Sequence, residues 1–178
     1  MLEVEIKVRI DDPKAVRAKL LAMGAVLRRE RHRENNVLLD YPDGRLKAGG
    51  SALRLRLSGR RASLTFKGPA QPSRRFKVRE EFETEVRDLP QIRKILRALG
   101  LRPIFRYAKV RTDLRLNKVG LSLDETPLGF FLELEGERPA IARLAEKLGL
   151  PSRDWITKSY VRMLIEAGFP EGTTHSSL

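Results

Sequence analysis

Leu2, Val4, Ile6 and Val8 alternate with Glu3, Glu5 and Lys7 at the start of the chain. A period of two puts one set on each face of a β-strand. Comparable runs recur at residues 34–41, 52–58, 62–67, 76–87, 105–116, 119–124 and 129–135, so the pattern predicts eight strands. Turn-forming stretches separate several of them: Asp43–Gly44, Gly49–Gly50, Ser58–Gly59, Asn117–Lys118 and Thr126–Gly129. Helical periodicity marks residues 12–23, 88–99, 138–148 and 157–167, with Gly24, Gly100, Gly149 and Gly168 as stops. Asp12 followed by Pro13 is a cap and a first helical position. Residues 170–178 read as a disordered tail.

Three segments share one plan: a strand with alternating carboxylates, a helix started near a proline, then glycine. They are VEIKVRIDDP to Gly24, EFETEVRDLP to Gly100 and FLELEGERP to Gly149. The charges also segregate. Carboxylates gather at Glu3/Glu5, Glu81/Glu83/Glu85 and Glu133/Glu135, and cations at Arg54/Arg56, Lys67, Lys77/Arg79 and Lys109/Arg111. Two α+β arrangements accommodate this. In a two-layer sheet the charged faces meet solvent and the apolar faces pack under helices. In an eight-stranded antiparallel barrel with helices outside, the charged faces line the lumen. A lumen of that kind requires water, metal and a polyanion, because unpaired buried charge is costly.

Composition narrows the partners. The chain has 178 residues, 41% hydrophobic and 33% charged, which is enough apolar material for a core. Lys and Arg number 36 against 23 Asp and Glu, a net +13 with a pI near 10.6, which favours polyanionic ligands. There is no cysteine, and the only two histidines, His32 and His175, are far apart in sequence. Thiolate sites are therefore excluded and a histidine-based zinc site is disfavoured. No apolar run reaches membrane-spanning length and no signal peptide is evident, so a cytoplasmic protein without membrane partners is expected. A GxxxxGK[ST] loop is absent, so phosphate would be held by side chains.

Carboxylate oxygens suit Mg²⁺ or Mn²⁺, and Arg and Lys suit phosphate oxygens. A metal-bound triphosphate satisfies both. At this point the chain resembles the CYTH superfamily, the triphosphate tunnel metalloenzymes. Glu3-x-Glu5-x-Lys7 matches its EXEXK signature. LRLR (Arg54, Arg56), LTFKGP (Lys67), REEFETEV (Glu81, Glu83), KVR (Lys109, Arg111), LDETPLGFFLELEG (Asp124, Glu133, Glu135) and KSY (Lys158) follow in the family's order. Length and the later motifs are most similar to class IV adenylate cyclase-like proteins.

The resemblance implies one domain over residues 1–169, folded as an eight-stranded antiparallel barrel around a charged tunnel. It implies metal binding by Glu3, Glu5, Glu81, Glu83, Asp124, Glu133 and Glu135. It implies phosphate binding by Lys7, Arg54, Arg56, Lys67, Lys109, Arg111 and Lys158. Catalysis would centre on Glu3, Glu5, Lys7, Glu133 and Glu135. The implied substrate is ATP, inorganic triphosphate or thiamine triphosphate, cyclised or hydrolysed with Mg²⁺ or Mn²⁺. Lys77 and Arg79 are evenly placed between tunnel and rim. Trp155, Tyr160 and Phe169 read as core, and His32 as a surface residue. A noncatalytic RNA or polyphosphate binder is the rival, but RNA binders usually interleave aromatics with basic residues, and aromatics are only 6% here. The oligomeric state stays open, a homodimer included.

Overall fold

The computed structural model describes residues 2–169; the expected tail at 170–178 lies outside them. The chain runs β1 (Leu2–Ile10), α1 (Pro13–Ala22), β2 (Val26–Asp40), α2 (Arg45–Ala48), β3 (Ala52–Ser58), β4 (Arg61–Ala70), β5 (Lys77–Val86), α3 (Leu89–Ala98), β6 (Arg102–Leu116), β7 (Val119–Thr126), β8 (Gly129–Glu135), α4 (Arg138–Leu148) and α5 (Tyr160–Glu166), with a 3-10 turn at Ser152–Asp154. All eight strands pair antiparallel and close into a barrel in the order β1-β5-β4-β3-β2-β6-β7-β8. Closure leaves no open sheet edge.

Local chemistry sets the helix starts. The Asp12 carboxylate accepts from the Lys14 and Ala15 amides at 2.9 Å, and Pro13 begins α1. Asp88 accepts from the Gln91 amide at 2.8 Å ahead of α3. Ser159 caps α5. Gly149, in the left-handed region at φ 76°, ends α4. Such caps satisfy amides and carbonyls that the helix itself cannot.

The apolar strand faces point outward and are covered in two places. One cluster joins Ile6, Val8 and Ile10 of β1, Leu121 and Leu123 of β7 and Leu132 and Leu134 of β8 to Leu20 of α1 and Ile141, Leu144 and Ala145 of α4. The other joins Leu39, Leu55 and Leu101 to Leu96 of α3. With hydrophobic surface turned toward the helices, the alternate charged positions face the lumen. The barrel arrangement therefore holds and the two-layer sheet does not.

Strand β2 begins at Val26, eight residues before its predicted start. Residues 28–33 read Arg-Arg-Glu-Arg-His-Arg and carry no apolar alternation. They are nevertheless held to β6 by a ladder interrupted by register shifts between Leu27 and Arg29 and between Arg29 and His32. Pairing with a long partner, not side-chain pattern, makes this stretch a strand. No helix among the described residues is long and apolar enough to cross a membrane.

Candidate functional site

The three acidic segments of the repeat occupy neighbouring strands, because closure places β8 beside β1 and β1 beside β5. Register then aligns their carboxylates: Glu5 lies opposite Glu135, Lys7 opposite Glu133, and Glu3 opposite Arg79. Directly paired positions share a face. Across the lumen, Arg54 and Arg56 come from β3, Lys67 from β4, and Lys109 and Arg111 from β6. An acidic sector thus faces a basic one.

They enclose a cavity of about 1020 Å³. Glu3, Glu5, Lys7, Arg54, Arg56, Lys67, Glu81, Glu83, Lys109, Arg111, Glu133, Glu135 and Lys158 all line it. Asp124 sits behind the wall, 1% exposed. Lys77 and Arg79 are also in the lining. The lining holds eleven Lys and Arg against eight Asp and Glu, a surplus of three out of the chain's +13. Most of the excess positive charge therefore lies outside the cavity, so net charge was a poor guide to this site; the segregation of sign was the useful signal.

The charges are paired along the wall, several of them between register partners on adjacent strands. Lys67 Nζ donates to both Glu3 oxygens at 2.8 Å and lies 2.6 Å from Glu81. Lys77 donates to Glu5 at 2.5 Å. Lys7 is 3.0 Å from Glu133, which also takes Arg111. Asp124 accepts from Lys109 at 2.8 Å, from two Arg111 nitrogens at 2.6 Å and from the Tyr160 hydroxyl at 2.9 Å. Arg56 donates to Asn36 and Glu34 at 3.0 Å. Arg54 donates to Thr65 at 3.1 Å.

Protonation follows these neighbourhoods. Burial opposes charge on Glu133, but Lys7 and Arg111 outweigh it and hold the carboxyl well below its usual range. Burial likewise opposes charge on Glu34, yet Lys109, Arg111 and Arg56 bring it down to about 2. Glu135 goes the other way: desolvation, reinforced by Glu3, Glu5 and Glu81, pushes it up to about 7. Desolvation and then Arg54 lower Arg56. The acidic corner at Glu135 is therefore short of positive charge even with Lys67 beside it, whereas Glu133 and Asp124 are well supplied.

Among the described residues no three His, Asp or Glu side chains form a ready metal site. The donor set of Glu3, Glu5, Glu81 and Glu135 still fits a hard divalent cation, since it is all oxygen and the first three raise the proton affinity of Glu135. Asp124 and Glu133 have their oxygens on Lys, Arg and Tyr donors, as Glu3, Glu5 and Glu81 have theirs on Lys67 and Lys77. Lys158 lies on the cavity rim, with its ammonium 2.7 Å from Glu166 and about half exposed.

Several groups in or directly behind the wall were not singled out from the sequence. Glu34 and Asn36 are 3% and 1% exposed and share the lumen face with Lys109, Arg56 and Tyr107. Their alternation in ENNVLLDY was visible, but a single carboxylate on that strand did not stand out. Tyr160 is buried as expected, and it also lines the cavity, with its hydroxyl on Asp124 and its ring against Lys7. His32 is also corrected: its side chain is only 12% exposed, with Nε2 3.6 Å from Glu34 and 3.8 Å from Asp113. An apolar flank of Leu38, Ile104, Tyr107, Val161 and Ile165 completes the wall. Leu38 and Ile104 escaped notice because they continue apolar runs that elsewhere face outward.

A family model described as "CYTH domain" matches residues 1–160. The "Putative adenylate cyclase" of Methanocaldococcus jannaschii is 32% identical over 136 residues, covering 76% of this chain and 77% of that protein. Among solved structures, a "putative adenylate cyclase" from Vibrio parahaemolyticus superposes with a TM-score of 0.81 at 22% identity, covering 93% of this chain and 98% of that one. The PH1819 protein of Pyrococcus horikoshii gives 0.75 at 27% identity, covering 93% and 99%. A Hippeastrum protein, described as a putative adenylyl cyclase with a dominant triphosphatase activity, gives 0.68 at 22% identity, covering 93% and 96%. With nearly the whole chain matched by one family model and a relative of this identity sharing most of its length, the chain belongs to the CYTH domain family.

Proposed function

We propose that this protein is a divalent-metal-dependent enzyme acting on a triphosphate, and that its reaction is conversion of ATP to cyclic AMP and pyrophosphate. The observation that carries the reading is one large cavity whose acidic sector, β8-β1-β5, faces its basic sector, β4-β3 and β6. A triphosphate with its cation presents both signs at once. Glu3, Glu5, Glu81 and Glu135 would hold Mg²⁺ or Mn²⁺, with Glu83 beside them. Bound there, the ion offsets phosphate charge and polarises phosphoryl oxygens.

Side chains of the chain do the rest. Arg54, Arg56, Lys67, Lys109, Arg111 and Lys7 surround the path of a linear triphosphate and can take its oxygens in place of their present carboxylate partners. In cyclisation the ribose 3′ oxygen attacks the α-phosphate and pyrophosphate departs, so negative charge grows on the leaving group. Cations fixed before the reaction stabilise that charge without reorganising. The cavity wall holds the chain of phosphates straight and brings the 3′ hydroxyl near, which supplies much of the rate in an intramolecular attack.

The apolar flank of Leu38, Ile104, Tyr107, Val161 and Ile165 supports a nucleoside triphosphate over a bare one, since it offers a surface to a ribose and base. The name of the M. jannaschii relative points the same way. Hydrolysis of inorganic or thiamine triphosphate is the second reading, favoured by a clamp whose charged groups need no contact with a base. Cytoplasmic residence and a homodimer remain expectations from sequence.

Chromatography of the products from ATP, with orthophosphate and pyrophosphate assayed separately, tests the reaction. Equal amounts of cyclic AMP and pyrophosphate are expected. ADP and orthophosphate without cyclic AMP would replace the cyclase by the hydrolase. No turnover of ATP, inorganic triphosphate or thiamine triphosphate with either metal would remove both.

A further inference from the structure

Tyr160 meets more of the basic wall than any packing role requires. It opens α5 and is 6% exposed. Its hydroxyl donates to Asp124 Oδ2 at 2.9 Å, the same oxygen that accepts from Lys109 and Arg111. Its ring lies 4.0 Å from Lys7 Nζ and 4.8 Å from Lys109 Nζ, measured to the centroid. The edge contact with Phe131, at 5.5 Å between centroids, fixes the ring plane. The preceding segment is tied to the same lysine: Ile156 N donates to the Lys7 carbonyl at 2.7 Å, and Lys7 Nζ reaches the Lys158 carbonyl at 3.3 Å.

We infer that Tyr160 is a positioning residue of the phosphate site, in the wall segment that begins at Thr157; this rests on the triphosphate reading above. Three cations assigned to phosphate, Lys7, Lys109 and Arg111, touch either this ring or the carboxylate it bonds. The chemistry explains why a tyrosine serves. Lys7 is 1% exposed and carries a flexible four-carbon stem. An aromatic face holds an ammonium by its quadrupole without adding a further negative charge to the Glu133 already beside Lys7, whereas a second carboxylate would compete with an incoming anion. The hydroxyl adds a neutral donor to Asp124, so that oxygen is satisfied without a further cation. One residue thus orients the two lysines and, through Asp124, the guanidinium.

A core tyrosine would lose stability on substitution and nothing else; a positioning one must change how phosphate is bound. The test is calorimetric titration of inorganic triphosphate with Mg²⁺ into the full chain and into Y160F, Y160L and W155F, with melting curves for each. Trp155 packs on Phe76 and donates to the Leu150 carbonyl, away from the cavity lining, so W155F reports a structural defect in the same segment. Y160L should weaken triphosphate binding about 30-fold, the worth of a desolvated ammonium–ring contact, and Y160F, which keeps the ring, should lie between it and wild type. W155F should melt earlier and bind as wild type does. Wild-type affinity in Y160F and Y160L, or losses that merely follow melting temperature as in W155F, would overturn the inference. If Y160L does not fold, Y160F decides it alone. Failure of the wild-type chain to bind triphosphate would instead overturn the function proposed above.

Discussion

Glu135 and Glu34 are both carboxylates of the barrel interior, and their surroundings drive them in opposite directions. Desolvation and three neighbouring carboxylates raise Glu135 from 4.5 to about 7. A raised carboxyl favours the protonated folded state, so its effect on the empty protein is an instability that grows as pH climbs from about 4.5 to 7 and persists above. Glu135→Gln should therefore melt higher than wild type at pH 8 without metal, and should lose most activity because an oxygen donor is gone. A variant that melts lower at pH 8, or that turns over like wild type, would contradict this. Glu34 falls from 4.5 to about 2 under Lys109, Arg111 and Arg56 despite its burial. A depressed carboxyl stabilises the fold at pH values above 4.5 and ceases to do so as pH drops toward 2. The interval corresponds to about 3 kcal/mol. Glu34→Gln should cost about that at pH 7, and the gap between the two unfolding curves should close near pH 2. A gap that stays constant with pH would show that the carboxylate's charge is not what matters.

At the scale of elements, strands β8, β1 and β5 show why so much of the site could be read beforehand. Each carries carboxylates at alternate positions, and alternation survives whatever the tertiary context because the pleat enforces it. That is why Glu3, Glu5, Glu81, Glu83, Glu133 and Glu135 emerged from the sequence, as did Arg54, Arg56, Lys67, Lys109 and Arg111. The repeat of strand, capped helix and glycine also identified α1, α3 and α4 through Asp12, Asp88 and Gly149. What pattern alone missed was created by contact. The start of β2 is a strand because β6 is long enough to pair with it. The short helix α2 forms where Asp40 accepts from the Leu46 and Lys47 amides at 3.0 and 2.9 Å, a cap reached from a neighbouring strand end. Tyr160 resembles any amphipathic-helix aromatic until the barrel brings Asp124 to its hydroxyl. Helix α3 belongs to the scaffold only. Leu96→Ala, at a site 5% exposed under β2 and β3, should lower stability by about 2–5 kcal/mol. It should leave kcat and KM near wild type below the new melting point, since no residue of α3 lines the cavity. A selective loss of kcat in well-folded protein would mean that α3 is coupled to the site.

For the whole molecule, the governing property is charge arranged as two facing sectors inside a closed barrel, with ten of the thirteen surplus positive charges elsewhere. The cavity wall is held by ion pairs between adjacent or nearby strands, such as Lys67 with Glu3 and Lys77 with Glu5, which a ligand bearing both signs can replace. A ligand that binds only the folded chain stabilises it by mass action, so triphosphate with Mg²⁺ should raise the melting temperature. Arg56→Ala should reduce that rise, because a guanidinium of the basic sector is gone. Equal ligand-induced shifts in variant and wild type would exclude Arg56 from the clamp. The most direct measurement is calorimetric titration of inorganic triphosphate into the protein with Mn²⁺ and again in excess EDTA, at low and high salt. A metal-triphosphate cavity predicts one-to-one binding that needs the divalent ion, survives added salt because the pairs are enclosed, and is abolished in Glu5→Gln. Binding of equal strength in EDTA that weakens steeply with salt and ignores Glu5→Gln would mean that the outer charge, not the tunnel, takes the anion.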